Sequence, residues 1–99
     1  MILHTVAFTL KHAPGSPAER AFLADAMTIL RPIKSVQAFD QFRQTSRKNG
    51  NAYSFGFSFT FADQAGYDAY DQHPDHVAFV RDRWIPEVAK FVELDYVRI

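Results

Sequence analysis

The sequence predicts an α+β domain in which strands and helices follow the order β-α-β-β-α-β. Stretches with period-two hydrophobicity lie near both ends and in the middle of the chain, and segments with helical periodicity separate them. The turn Lys48-Asn49-Gly50-Asn51 also favours an antiparallel hairpin between the central strands, because Asn-Gly tolerates positive φ. This order is the split βαβ, or ferredoxin-like, arrangement: a four-stranded antiparallel sheet with helices on one face.

Length and composition indicate a single domain over residues 1–99. The hydrophobic fraction of 47% and the ten phenylalanines are high for 99 residues, which leaves apolar surface for a partner. The zero net charge argues against nucleic-acid and membrane-surface partners, and the absence of cysteine excludes disulfides and thiolate sites. The chain opens directly into a strand pattern, so a cytoplasmic location without a membrane segment is expected.

The first half of the chain predicts strand, helix and strand. Residues 2 to 10 alternate with the period of a strand. Ser16-Pro17-Ala18-Glu19 is a capping box with proline at the first helical position, so a helix begins there. Apolar residues at helical spacing predict its buried stripe: Phe22, Leu23, Ala26, Met27 and Leu30. Pro32 helps to end this helix, and Val36 to Arg47 is the second predicted strand.

The second half predicts a strand, a broken helix and a last strand. Aromatic residues occupy one face of the third strand: Tyr53, Phe55, Phe57, Phe59 and Phe61. Small or polar residues occupy the other: Ser54, Gly56, Ser58 and Thr60. Asp63 caps a short helix that ends near His73, because the residue before a proline avoids α geometry, and Pro74 begins the next helix.

The last helix and strand complete the pattern. The apolar stripe of that helix is predicted to be Val77, Val80, Trp84 and Val88. Pro86 kinks or ends the helix, because proline has no amide hydrogen to donate. Phe91 to Ile99 is the last predicted strand.

The two faces of the third strand lead to separate predictions. Each buried ring contributes about 1.5–3 kcal/mol, so the aromatic face is expected to lie against the helices. The small face is either solvent-exposed or closely approached by a second sheet, which glycine and serine permit. Leu3, Ala7 and Phe39 are candidates for the same outer face, which favours a second sheet. An RNA-recognition module would need the aromatic residues to face outwards, so no nucleic-acid partner is predicted.

Proton-transfer groups are concentrated where the second helical region breaks. Tyr70 and His73 are three residues apart on a helix, and His76 begins the next one. His4 would point toward this corner if its strand face is the helix-covered one. Phenol and imidazole groups can move protons at a carbonyl compound near neutral pH.

Structural roles for the same side chains remain open. His73 could cap a helix end, and His76 could join the two helix segments through a hydrogen bond. Tyr70 and His4 could be hydrogen-bonded core residues. No metal-ligand spacing of an established type is present, so no metal site is predicted.

At these residues the sequence resembles the stress-responsive A/B barrel (Dabb) family. The matching segments are Ile2-Leu3-His4-Thr5-Val6-Ala7-Phe8, Phe61-Ala62-Asp63, Tyr70-x-x-His73-Pro74-x-His76-x-x-Phe79 and Leu94-Asp95-Tyr96. The resemblance implies a homodimer in which two ferredoxin-like sheets pack face to face into a barrel. A plant branch of the family cyclises poly-β-keto chains without a cofactor. By this resemblance Tyr70 and His76 are its acid–base pair and His4 lines its pocket, whereas Phe55 replaces another pocket histidine.

Two functions of different classes follow. The first is a binding or structural stress-response protein that holds a small hydrophobic or carbonyl ligand between sheet and helices. Its ligand-binding residues are predicted to be His73, Phe55, Phe57 and Trp84. The alternative is a cofactor-independent enzyme with Tyr70 and His76 as acid and base, performing cyclase-like aldol chemistry or, by fold analogy, cofactor-free monooxygenation. No cofactor is expected, and an open pocket is what the enzyme alternative requires.

Overall fold

A computed structural model describes residues 1–46 and 48–99, in which four strands form one antiparallel sheet in the order β2-β3-β1-β4. The strands are β1 (Ile2–Leu10), β2 (Ala38–Arg43), β3 (Phe55–Phe61) and β4 (Val88–Val97). The helices are α1 (Pro17–Leu30), α2 (Gln64–Gln72), α3 (Pro74–Phe79) and α4 (Ile85–Glu87). The predicted ferredoxin-like order is confirmed. None of the helices in these residues is both long and apolar enough to span a bilayer.

The main core lies between the inner face of the sheet and the helices. Phe55, Phe57, Phe59 and Phe61 of β3 are each at most 4% exposed, which confirms that the aromatic face lies against the helices. Phe8 of the neighbouring strand is fully buried among them. The predicted helix caps are also confirmed, since the Ser16 hydroxyl accepts from the amide of Glu19 at 3.2 Å. Asp63 does the same for the amide of Gly66 at 2.9 Å.

The prediction that Phe39 lies on the outer face of the sheet is wrong. Phe39 pairs with Phe59 in the β2–β3 register, and their rings stack with centroids 4.2 Å apart. Paired residues point to the same side of a sheet, so Phe39 belongs to the core. Phe42, which pairs with Gly56, is the phenylalanine of β2 on the outer face and is 57% exposed. Ala7 also pairs with Gly56, as its predicted outer position requires.

The hairpin between β2 and β3 has a longer connection than predicted. Val36 lies before β2, where its amide donates to Ile33 in a turn, and Arg47 lies outside the described residues. Gly50 has a φ of 68°, the left-handed conformation predicted for the Asn-Gly pair. It ends a short 3₁₀ turn (Lys48–Gly50) within a loop, and Tyr53 precedes β3.

The helical region after Pro74 changes its geometry before it ends. A π-helical turn (Val80–Trp84) separates α3 from α4, and the Ile85 amide accordingly donates to the carbonyl of Val80. Pro86 has no amide hydrogen with which to continue the ladder, and the helix ends one residue later. Segments of this kind often lie at functional sites.

The predicted apolar stripe of this helix needs two corrections. Val88 is the first residue of β4, where it pairs with Leu10, so the last strand begins earlier than Phe91. Val77 is 48% exposed, and Phe79, which is 3% exposed, occupies the core position on α3 instead. The reason is that the π-helical turn shifts the helical register between Val77 and Trp84.

An ionic network fastens the end of this helical region to the rest of the fold. Arg83 donates to the carboxylates of Asp25 on α1 at 2.6 Å and of Glu87 at 2.5 Å. Glu87 also bonds the ring of His12 at 2.6 Å, just beyond β1. The network therefore holds the π-helical turn against both α1 and the sheet.

Candidate functional site

A cavity of about 470 Å³ lies between the inner face of the sheet and the helices. Its walls are apolar: Val6, Leu30, Phe57, Phe59, Phe79, Val80, Trp84, Ile85, Val88 and Phe91. Its remaining lining residues are polar: His4, Tyr67, Tyr70, Asp71, His76 and Glu93. An apolar cavity of this size with a few polar groups is typical of small-molecule sites.

The structure brings three of the predicted site residues together at this cavity. The ring centroid of Tyr70 lies 4.4 Å from that of His76 and 6.3 Å from that of His4. His4 reaches the corner because its strand face is the buried one, and it is only 6% exposed. Phe57 and Trp84, two of the predicted ligand-binding residues, also line the cavity.

Two predicted ligand-binding residues, His73 and Phe55, lie away from the cavity. The Nδ1 atom of His73 accepts the amide of Asp75 at 3.1 Å, so its predicted helix-capping role is confirmed. Its extended backbone (ψ 135°) takes it off the helical face of Tyr70. Phe55 packs on Phe8 with ring centroids 5.6 Å apart, so its ring leaves the cavity open.

His4 is oriented by an acidic partner that the sequence analysis did not identify. Its Nδ1 atom lies 2.5 Å from a carboxylate oxygen of Asp95, which faces it across the β1–β4 register. The carboxylate accepts the Nδ1 hydrogen, which leaves Nε2 as the ring nitrogen that is not used by Asp95. Only the pairing of the first and last strands reveals this contact, because 91 positions separate the two residues.

His76 is oriented by the break between α2 and α3. Its Nδ1 atom donates to the carbonyl of Asp71 at 3.0 Å. In an uninterrupted helix that carbonyl would accept the amide of Asp75, which here donates to His73 instead. Burial lowers the pKa of His76, so at neutral pH its ring is uncharged, with the lone pair on Nε2.

Two tyrosines supply hydroxyl donors beside the imidazoles. Burial raises the pKa of Tyr70 well above its usual range, and burial with nearby carboxylates raises that of Tyr67 to about 12. Both phenols are therefore protonated at neutral pH. The Tyr70 side chain is only 3% exposed and lines the cavity. Tyr67, three positions before Tyr70 on α2, could have been recognised from its helical spacing.

This arrangement contains the groups that acid–base catalysis at a carbonyl compound requires. The Nε2 atom of neutral His76 can accept a proton, and two phenol hydroxyls can donate to an oxygen that develops negative charge. The apolar walls would exclude water from a bound compound. The described residues hold no cluster of three or more histidine, aspartate or glutamate side chains placed to bind a metal ion.

Replacing His76 with glutamine should make the free energy of unfolding depend less on pH below neutrality. Folding lowers the pKa of His76 below 6.5, so the unfolded chain takes up this proton first as the pH falls. The stability that depends on neutral His76 is therefore complete above about pH 6.5 and declines below it. We expect His76→Gln to lose less free energy of unfolding than wild type between pH 7 and pH 5 in urea titrations. His73→Gln is the control, and equal losses in wild type and His76→Gln would refute the expectation.

Comparison with known proteins identifies similar sequences and folds. The model of the family described as "Stress responsive A/B Barrel Domain" matches residues 2–98. A Dabb family protein with a ferredoxin-like fold from Mesorhizobium loti is 60% identical, with a TM-score of 0.95, and the match covers 99% of this chain and 96% of that one. No curated protein matches the sequence.

More distant structures share the fold. A dimeric ferredoxin-like protein of unknown function from Thermobifida fusca is 20% identical with a TM-score of 0.78, over 98% of this chain and 90% of that one. A hydroxynitrile lyase from Passiflora edulis is 15% identical with a TM-score of 0.82, over 99% and 93% of the two chains. At these identities the likeness shows a common fold only.

Proposed function

Because the chain belongs to the stress-responsive A/B barrel domain family, we propose that it is a homodimeric barrel protein whose chains each bind a small, mostly apolar carbonyl compound. The observation that carries the binding proposal is the mostly apolar cavity itself, at which the Tyr70 side chain lies beside neutral His76 with ring centroids 4.4 Å apart. A carbonyl oxygen of a bound compound would accept a hydrogen bond from the Tyr70 hydroxyl.

The outer face of the sheet supports the dimer. Exposed apolar side chains lie there, including Phe42, Leu94 and Tyr96, each at least 50% exposed. At the centre of the face, a Cβ on Gly56 would meet nothing nearer than a backbone oxygen of Val6 at 3.9 Å, so the small residue is not needed for packing within the chain. A glycine there lets a second sheet approach closely. Exposed apolar side chains on both edge strands of one sheet face suit a contact with a second copy of that face.

Acid–base catalysis is the second candidate function, and the orientation of the imidazoles favours it. The Nδ1 atoms of His4 and His76 are both held by acceptors, which leaves Nε2 as the basic atom of the neutral His76 ring. In this mechanism His76 Nε2 removes a proton from the carbon next to the carbonyl, and the Tyr70 hydroxyl donates to the resulting enolate oxygen. His4 positions the substrate, and the enolate carbon can then attack a second carbonyl.

A thermal-shift screen of uncharged ketones and aldehydes tests the binding proposal. Compounds that bind the native state raise the melting temperature by mass action. Tyr70→Phe should weaken binding of such a compound about 2- to 12-fold, which corresponds to one hydrogen bond of about 0.5–1.5 kcal/mol. Tyr53→Phe and His73→Ala alter the same residue types away from the cavity and should bind normally. Binding that is unchanged in both Tyr70→Phe and His76→Ala would place the ligand elsewhere.

Exchange of α-hydrogens in D₂O tests the catalytic candidate separately. A ketone found to bind should exchange faster with the protein than in buffer, as followed by NMR. His76→Ala should reduce that acceleration about 100-fold or more, in line with the usual contribution of a general base. His73→Ala should retain it. A ketone that binds but exchanges no faster than in buffer would leave a binding protein without this chemistry.

A further inference from the structure

The charges around the cavity restrict which ligands can bind there more narrowly than the shape of the cavity does. Among the described residues that line the cavity, the charged side chains are Asp71 and Glu93, and both are carboxylates. Asp95 lies just behind them as the partner of His4. Arg83 belongs to the neighbouring helical turn but bonds Asp25 and Glu87, so its charge is directed elsewhere.

The imidazoles do not offset these carboxylates. Burial lowers the pKa of His76, which leaves its ring neutral at pH 7.5. A proton on His4 would be balanced by the carboxylate of Asp95, 2.5 Å away. The polar end of the cavity is therefore neutral to negative. An anionic ligand would bring a like charge next to Asp71 and Glu93, which are exposed residues that line the cavity.

The hydrogen-bonding groups select for an acceptor that carries no charge. The hydroxyls of Tyr67 and Tyr70 are protonated donors, and both tyrosines line the cavity. A ketone or aldehyde oxygen satisfies such a donor without adding charge. The remaining walls are aliphatic and aromatic and suit a hydrocarbon substituent.

We propose that the cavity selects uncharged carbonyl compounds and rejects the corresponding carboxylates, and that Asp71 and Glu93 set this preference. The inference rests on the proposed binding function and adds the charge class of the ligand. Asp71 and Glu93 act here as specificity-determining residues through their charge. The backbone carbonyl of Asp71 orients His76 independently of its side chain, so an amide at this position preserves that contact.

The test is a pair of probes with nearly the same shape. Phenylacetone and phenylacetate differ by a methyl group in place of a charged oxygen, and their binding is titrated by NMR at pH 7.5. Wild type should bind phenylacetone at least about tenfold more tightly than phenylacetate, a difference of about 1.4 kcal/mol. The double variant Asp71→Asn, Glu93→Gln should narrow the ratio to less than about threefold by improving phenylacetate binding. Asp82→Asn removes an exposed carboxylate outside this cavity and should leave the ratio unchanged.

The outcomes separate this inference from the function on which it rests. Equal binding of both probes to wild type would overturn the charge selectivity while supporting the binding site. A full preference for phenylacetone in the double variant would overturn the role of the two carboxylates. Failure of phenylacetone, phenylacetate and the neutral phenylacetamide to bind would overturn the binding function and the inference together.

Discussion

Phe8→Ala should lower the free energy of unfolding by about 3–5 kcal/mol, which is the usual cost of removing a buried phenylalanine ring. Phe8 has no exposed surface, and its ring centroid lies 4.7 Å from that of Phe57 and 4.9 Å from that of Trp84. These neighbours come from a strand and a helical turn, so the core cannot close the gap without moving both. The loss is a large fraction of the 5–15 kcal/mol typical of a domain.

Urea unfolding monitored by circular dichroism measures this effect, at one fixed chain concentration because a dimer links stability to concentration. Val77→Ala is the control, since Val77 is 48% exposed and surface substitutions usually change stability by no more than about 0.5 kcal/mol. A loss below about 1 kcal/mol in Phe8→Ala would mean that the ring contributes little to the core.

The double substitution Gly56→Lys, Ser58→Lys should convert dimers to monomers. Both positions lie on the outer face of the central strand β3, where each residue pairs with an outward-facing position of β1. Two ammonium groups at the centre of a sheet-to-sheet contact would be desolvated without partners, and their side chains would keep the sheets apart. Light scattering with size-exclusion chromatography should show the mass of one chain.

Ala24→Lys, Thr28→Lys adds the same charge to exposed positions on α1 and should leave the dimer intact. A folded dimer of the Gly56, Ser58 variant would exclude the sheet-to-sheet contact. Phe42→Ser provides a milder change if lysine prevents folding, since Phe42 is exposed at the edge of the same face. It should raise the dimer dissociation constant measurably, and an unchanged constant would also argue against this interface.

Local patterns predicted most of the fold. The Ser16-Pro17 start, the Asp63 cap and the Pro74 break each act within a few residues, and the structure has a helix terminus at each. The aromatic face of β3 was equally clear, because its alternation leaves one side without any large apolar residue.

The face of β2 could not be predicted from sequence. Phe39 and Phe42 are three positions apart, so a strand must point them to opposite sides, and a one-residue change of register exchanges them. Pairing of Phe39 with Phe59 decides the question, and this is a tertiary contact. The spacing of the apolar residues does not reveal the π-helical turn either. For this reason the sequence predicts an apolar stripe with Val77 and Val88 that the structure does not contain.

The candidate site could likewise be predicted from the sequence only in part. Tyr70 and His76 were identified because they lie near each other in the chain. Glu93 reaches the cavity, and Asp95 reaches His4, only because β4 pairs with β1, where Asp95 faces His4 and Glu93 faces Val6. His73 has the expected residue type at the expected break, but its backbone leaves the helix there and its ring is used as a cap.

The cavity and the proposed dimer face lie on opposite sides of the sheet, and this arrangement bears on whether ligand binding affects dimer formation. The cavity lies on the helix-covered side of the sheet, and the strands separate it from the outer face. A ligand changes the equilibrium between monomer and dimer only if it binds the monomer and the dimer with different affinities. Here the two cavities of a dimer would fill independently, with a hyperbolic saturation curve and one ligand per chain. Dilution that dissociates the dimer into monomers would then leave the ligand saturation curve unchanged.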